Sequence, residues 1–337
     1  RIQVKYKFHD KNSIEIFTKL RWRYKNMKLG LIIPSFPGER RVALLPEHVD
    51  NFNNELIVEH NFGMSLGISD EDYEAVGCKI GSREEIFLNC DAIFSLKLIG
   101  EQDYKYLRKN HMIIGWTHPF GSGKKFMEEQ ANIKDLIIVD LDNVHPTVYY
   151  NDTAKRIAWI PPNFVKDNSF IAGYSSTLHA LLNFGDIPDN NTNIAILGSG
   201  NVSQGAFCAI SKFSNNITLF YRKTMDQFIS SSHKFDIIIN GIELDKAGLH
   251  ILTLDQQKKL KKNCLIIDAS ANAGKAIEGS VNTSIDDPIY KKDDVYYYVV
   301  NNSPSILFRQ VSSKISKAFS ENVYKEDVKI FKDLVIK

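Results

Sequence analysis

Ile194-Ala195-Ile196-Leu197-Gly198-Ser199-Gly200-Asn201-Val202-Ser203-Gln204-Gly205-Ala206-Phe207 is the stretch that decides the fold. An apolar run of strand length leads straight into Gly-x-Gly, and a helix-forming segment follows. Gly198 permits a tight turn. Gly200 lets backbone approach a pyrophosphate, which the N–H groups and dipole of the following helix attract. The third position of the dinucleotide pattern holds Ser203, small enough for close packing of helix on strand. Such a pattern is weak alone. It gains weight because a second apolar run, residues 217–221, stands where the next strand of a βαβ unit belongs. Gly198, Ser199, Gly200, Asn201 and Val202 are therefore assigned to a dinucleotide.

The end of that second run selects the cofactor. NAD enzymes usually place an acid there to accept from the ribose 2′-OH. Here the chain reads Phe220-Tyr221-Arg222-Lys223-Thr224. Tyr221 occupies the acid's position and two cations follow, so Arg222 and Lys223 are expected to grip the 2′-phosphate of NADP.

Working outward, similar runs recur at residues 29–33, 56–58, 92–98, 112–116 and 136–141. A second series lies at 194–197, 217–221, 236–240, 264–268 and 296–300. Continuous apolar strands separated by helix-length polar stretches imply parallel sheets covered on both faces. The fold class expected is α/β, with two doubly wound Rossmann-like domains. Trp159-Ile160-Pro161-Pro162 suits the division, since two prolines neither continue a helix nor donate to a ladder. Residues 169–184 read as a long linking helix. Residues 303–337 read as helical and have no sheet of their own to complete. The domains expected are a substrate domain from 27–164 completed by 309–337, and an NADP-binding domain from 165–308.

Composition narrows the function. Apolar residues make up 43% and charged residues 24% of 337, ordinary for a globular protein. Residues 1–26 carry eight Lys/Arg against two Asp/Glu, leaving a mildly acidic body within a net charge of +2. That balance argues against nucleic acid as a partner. The basic segment reads as an extension of uncertain origin, because Met27-Lys28-Leu29-Gly30 looks like a natural start. No stretch suits a membrane span or a secretory signal, which points to the cytoplasm. The four cysteines, Cys78, Cys90, Cys208 and Cys264, form no metal-spaced cluster, and no metal is expected. Gly121-Ser122-Gly123-Lys124-Lys125 lacks the earlier glycine and final Ser/Thr of a phosphate-binding P-loop.

Phe36-Pro37-Gly38-Glu39-Arg40-Arg41-Val42-Ala43-Leu44-Leu45-Pro46, Ser95-Leu96-Lys97, Ile114-Gly115-Trp116-Thr117-His118-Pro119-Phe120 and the Gly198 loop resemble the alanine dehydrogenase/pyridine nucleotide transhydrogenase family. The resemblance covers residues 27–330. Its nearest branch couples pyruvate to the side-chain amine of ornithine or lysine and reduces the imine with NADPH. The resemblance implies that Arg41 clamps the oxoacid carboxylate and that Lys97 contacts its carbonyl end. It makes His118 the acid/base residue, places Asn302 beside the nicotinamide, and sets Ser169 on the cofactor phosphates at the start of the linking helix. It also favours a homo-oligomer. One departure stands out: Asn272 occupies the place of a catalytic aspartate and cannot ionise. Two alternatives stay open, an amino-acid dehydrogenase using ammonia and a catalytically silent NADP-binding protein.

Overall fold

The computed structural model describes residues 27–244, 248–270 and 272–336; the basic segment 1–26 lies outside them. Eight strands form the first sheet: β1 Lys28–Ile32, β2 Glu55–Glu59, β3 Lys79–Gly81, β4 Ala92–Lys97, β5 Met112–Trp116, β6 Ile137–Asp140, β7 Thr147–Tyr150 and β8 Thr153–Arg156. Their order is β3-β2-β1-β4-β5-β6-β7-β8. Strands β3 through β6 are parallel, whereas β7 and β8 return antiparallel. The second sheet holds β9 Ile194–Leu197, β10 Ile217–Phe220, β11 Ile237–Asn240, β12 Leu265–Asp268, β13 Ile289–Lys292 and β14 Val295–Tyr298. Its order is β10-β9-β11-β12-β14-β13, parallel except for the β13 edge.

Both sheets are thus mixed rather than wholly parallel. The strands that sequence patterning misses are β3, β7, β8 and β13. They are edge or near-edge strands that carry polar residues and bury little, as Thr153–Arg156 illustrates.

The apolar runs are continuous because each sheet is covered twice and side chains alternate across it. In the first sheet, Phe94, Leu96, Ile114 and Trp116 face one core, while Ile93 and Ile113 face another. The first of these cores is closed by the end of the chain. Helices at Phe308–Phe319 and Lys329–Val335 bring Val311, Ile315, Phe319 and Phe331 onto it, together with Tyr324 between them. Phe94 meets Phe319 and Tyr324 edge-on, each with ring centroids 5.0 Å apart. Trp159 and Ile160 also pack here, Trp159 stacking on Phe331.

One long helix, α1 (Lys166–Phe184), joins the two sheets: Ile171 belongs to the first core, Ala180 and Leu181 to the second. It crosses α2 (Asn201–Ile210), the helix after the Gly198 loop, at Gly173 and Gly205. A Cβ on Gly173 would lie 1.8 Å from the Val202 carbonyl oxygen, and one on Gly205 1.8 Å from that of Phe170. Only glycine allows the helices to come so close. Helix α1 begins at Lys166, three residues earlier than expected, so Ser169 lies inside its first turn rather than at its start.

Candidate active site

In sheets of this kind ligands bind in the crevice outside the carboxyl ends of the strands. Several of the residues singled out from the sequence stand at or just after such strand ends. Lys97 ends β4 and His118 follows β5 by two residues. Between β4 and β5 the register slips at Ser95/Lys97, so that Lys97 pairs with Trp116. Gly115, at φ +151, accommodates the slip, because a Cβ there would lie 1.8 Å from the Ser95 carbonyl oxygen. The irregularity re-aims the end of the strand.

Arg41 is not a surface arginine. Its side chain is 1% exposed and its Nε and Nη2 donate to the two carboxylate oxygens of Glu39, at 2.8 and 2.6 Å. Nη1 donates to Asn168 Oδ1 at 2.7 Å, and Nη2 also donates to Asn302 Oδ1 at 2.9 Å. Asn168 lies in the first turn of α1 and Asn302 lies beyond β14, so Arg41 ties the two sheets together. The neighbouring segment is tied likewise, with the Arg40 N–H donating to Ser305 Oγ and that hydroxyl donating to the Gly38 carbonyl. Arg40 itself lies over the Phe308 ring, away from this network.

The fork of Arg41 expected to hold a substrate is therefore engaged. Of its five N–H groups one remains, on Nη1, with no acceptor among the described residues. A carboxylate gripped by two N–H groups must displace Asn168 or Asn302.

Arg41 and Lys97 share one aromatic floor. The Arg41 Cζ lies 5.0 Å and the Lys97 Nζ 5.7 Å from the Trp116 ring centre, and Lys97 also lies 4.9 Å from that of Phe36. Burial, and after it the charge of Arg41, lower the Lys97 ammonium to about 8 against the opposing pull of Glu39 and Asp142. Burial works to raise the Glu39 carboxyl, but the charge and hydrogen bonds of Arg41, with the charge of Lys97, outweigh it and hold it below the usual value.

His118 adopts φ +45, a left-handed backbone uncommon outside glycine. Its carbonyl accepts from the N–H groups of Gly121 and Gly123, and its Nδ1 lies 3.1 Å from Asp142 Oδ2. Asp140, at the end of β6, accepts from the N–H and hydroxyl of Thr117. Burial, and then the charge of Asp142, push the Asp140 carboxyl upward.

On the second sheet Gly198 has φ +104, and Ser203 Oγ donates to the Leu197 carbonyl at 2.9 Å. Ser203 presses on the chain after β11, where a Cβ on Gly241 would lie 2.3 Å from its hydroxyl. Nothing lies within 4 Å of a Cβ position on Gly200, and no side chain caps α2. Together they leave an open approach to a helix start, which suits a phosphate group. Ser199 is exposed, and Asn201 and Val202 open the helix. Tyr221, Arg222 and Lys223 are exposed directly after β10. Ser169 is half-buried. Asn302 is buried, and its Nδ2 finds no partner among the described residues. Asn272 donates from Nδ2 to Glu243 Oε1 at 2.6 Å. Asp268, at the end of β12, is buried and pushed upward by that burial against hydrogen bonds from Ser270 and Asn240.

Among the participants that carried no assigned role in the sequence reading are Glu39, Trp116, Asp142 and Asn168. Glu39 and Trp116 lie inside the motifs that locate Arg41 and His118, and an acid two residues before a buried arginine is a legible signal. Asp142 and Asn168 carry none. Among the described residues no group of three or more His, Cys, Asp or Glu could hold a metal, and no helix is long and apolar enough to cross a membrane.

Comparison with known proteins identifies the family. Residues 34–147 match the alanine dehydrogenase/PNT N-terminal domain and residues 184–333 the alanine dehydrogenase/PNT C-terminal domain. The chain is 62% identical over 309 residues to the N(5)-(carboxyethyl)ornithine synthase of Clostridium botulinum, covering 92% of this chain and 98% of that protein. It is 54% identical over 305 residues to the enzyme of that name from Lactococcus lactis subsp. lactis, covering 90% and 98%. A solved L-alanine dehydrogenase shares the fold, with a TM-score of 0.70 at 17% identity over 88% of this chain and 89% of that one. The chain belongs to the alanine dehydrogenase/PNT family of oxidoreductases, on the branch that holds the N(5)-(carboxyethyl)ornithine synthases.

Proposed function

We propose that this protein catalyses the NADPH-dependent reductive condensation of pyruvate with the side-chain amine of ornithine or lysine, giving an N-(1-carboxyethyl)amino acid. The observation that carries the reading is the meeting of Arg41 and Lys97 over the Trp116 ring. Two cations above one aromatic floor make a site for a small oxoacid: one for its carboxylate, one for its carbonyl oxygen. The names of the close relatives support the same chemistry.

The Gly198 loop would hold the cofactor's pyrophosphate at the start of α2, and Arg222 and Lys223 would hold a 2′-phosphate. Bound there, the nicotinamide supplies a hydride. The chain's own residues do the rest. Arg41 and Lys97 fix pyruvate, with Lys97 polarising the carbonyl toward attack. His118 takes a proton from the incoming ammonium and returns it to the departing hydroxyl, which leaves as water. Holding both substrates in one crevice removes much of the entropic barrier. Asn272 cannot share the proton work, which sets this site apart from one relying on an aspartate at that place.

NADPH absorbance tests the reading. It should fall with pyruvate plus ornithine or lysine, and stay flat with pyruvate alone. Equal turnover with ammonia would identify an amino-acid dehydrogenase instead. NADPH binding with no turnover on any amine would identify a silent binder.

A further inference from the structure

We propose that Asp142 is a positioning residue for His118, fixing the imidazole in the tautomer whose bare Nε2 receives the amine's proton. The inference rests on the reading of His118 as the acid/base residue. Asp142 Oδ2 lies 3.1 Å from His118 Nδ1, and because an ionised carboxylate only accepts, a hydrogen bond formed across this approach places the proton on Nδ1. Nε2 then carries the lone pair.

The surroundings make this contact decisive for the ring. The His118 backbone is fixed: Gly121 and Gly123 both donate to its carbonyl, and a Cβ on Gly123 would lie 2.0 Å from the Thr117 carbonyl oxygen. The ring itself is open, with side-chain exposures of 39% for His118 and 37% for Asp142. Packing therefore leaves it free to turn, and Asp142 is the group that orients it. Asp142 is in turn placed by the end of β6, which Thr117 ties to the end of β5 through Asp140. A pair this exposed contributes little to stability, so its consequence is geometric.

The proton balance closes. The ammonium of the substrate transfers a proton to Nε2, giving a free amine and an imidazolium that the ionised Asp142 faces. The amine nitrogen bonds to the pyruvate carbonyl carbon, and its second proton passes to the carbonyl oxygen. The imidazolium then protonates that hydroxyl, the C–O bond breaks, and water leaves with the iminium ready for reduction. Histidine returns to its starting tautomer, and Asp142 stays ionised throughout.

The test combines nitrogen-15 NMR of histidine-labelled protein with steady-state kinetics. The His118 signals are assigned by their loss in His118→Asn. In the wild type Nδ1 should carry the proton. In Asp142→Ala the signal should move toward the Nε2-protonated form, and kcat should fall on the order of 10²-fold, as for a misdirected acid/base. Pyruvate KM and NADPH affinity should change less than twofold. Asp142→Glu should recover part of both the tautomer and kcat. An unchanged tautomer, or kcat within twofold of wild type in both Asp142→Ala and Asp142→Asn, would overturn the proposal. His118→Asn separates the two readings. If it keeps full activity, the assignment of His118 fails; if it is inactive while Asp142→Ala is normal, only the role of Asp142 fails.

Discussion

Glu39 holds the Arg41 guanidinium on both of its carboxylate oxygens, with neither side chain appreciably exposed. Arg41 thus arrives at the site already oriented, its remaining edge turned to Asn168 and Asn302. Removing one member of a buried pair strands the other's charge, at a cost of about 3–5 kcal/mol. Glu39→Gln should lower unfolding free energy by roughly that amount in urea titrations. Arg41→Lys keeps the charge but loses the planar fork. It should raise pyruvate KM at least about tenfold, the equivalent of one lost charge-assisted hydrogen bond, and leave NADPH affinity unchanged. Normal pyruvate kinetics in Arg41→Lys would remove it from the substrate site.

Lys97 links the site to pH. Its ammonium loses its proton near pH 8 in the folded protein because burial and Arg41 disfavour the charge. Below that pH it is a cation, which on the proposed reading faces the oxoacid; above it, a neutral amine. Pyruvate KM should therefore climb as pH rises through 8, while KM for NADPH stays flat. In Lys97→Arg the charge persists at all accessible pH, so the climb should disappear even if overall activity falls. The sign for stability is the opposite. The unfolded lysine holds its proton up to its ordinary pKa of 10.5, so between 8 and 10.5 the unfolded state binds more protons and this group makes folding more favourable as pH rises.

The fold was largely legible because buried strands impose continuous apolar runs. The runs at 92–98 and 194–197 correspond to Ala92–Lys97 and Ile194–Leu197. The edges were not legible, because Lys79-Ile80-Gly81 and Thr153–Arg156 bury too little to need such a run. Arg41, Lys97 and His118 could be singled out because Arg41 stands inside the Phe36–Pro46 motif and the other two at or just after the ends of apolar runs. What they touch could not. Asn168 reaches Arg41 across 127 positions with no local pattern to mark it, and Asn302, expected beside the nicotinamide, reaches Arg41 across 261. The mixed strand order and the slip at Ser95/Lys97 likewise depend on neighbours far along the chain.

Cofactor choice turns on the end of β10. Tyr221, Arg222 and Lys223 are exposed there and no acid stands at Tyr221. A charge-assisted contact to a 2′-phosphate contributes about 1.5–3 kcal/mol. Arg222→Ala should weaken NADPH binding roughly tenfold or more, by that figure, and leave NADH binding nearly unchanged. Titration of each nucleotide by protein fluorescence would show it. Equal losses for both nucleotides would mean that Arg222 acts on something other than the 2′-phosphate.

Asn272 does more than lack a charge, since its amide holds the carboxylate of Glu243 at 2.6 Å. Asn272→Asp would set two carboxylates at hydrogen-bond distance. Like charges that close cannot both ionise freely, so the pair should share a proton at low pH and repel once it is lost. Repulsion would push the segment after β11 away from the end of β12, where Gly241 packs on Ser203 of the nucleotide loop. Activity of Asn272→Asp should therefore peak at lower pH than wild type and decline as pH rises, with NADPH affinity falling in parallel. The double variant Asn272→Asp/Glu243→Gln restores one amide and one carboxylate with their positions exchanged. It should recover the wild-type profile for nucleotide binding, because the amide can again donate to the carboxylate. Profiles of kcat/KM and NADPH affinity against pH for the wild type, the single variant and the double variant decide the matter. If the single variant follows the wild-type curve, the Asn272–Glu243 bond does not govern the crevice. If the double variant fails to rescue it, the charge at position 272 acts on the cofactor or the substrate rather than on Glu243.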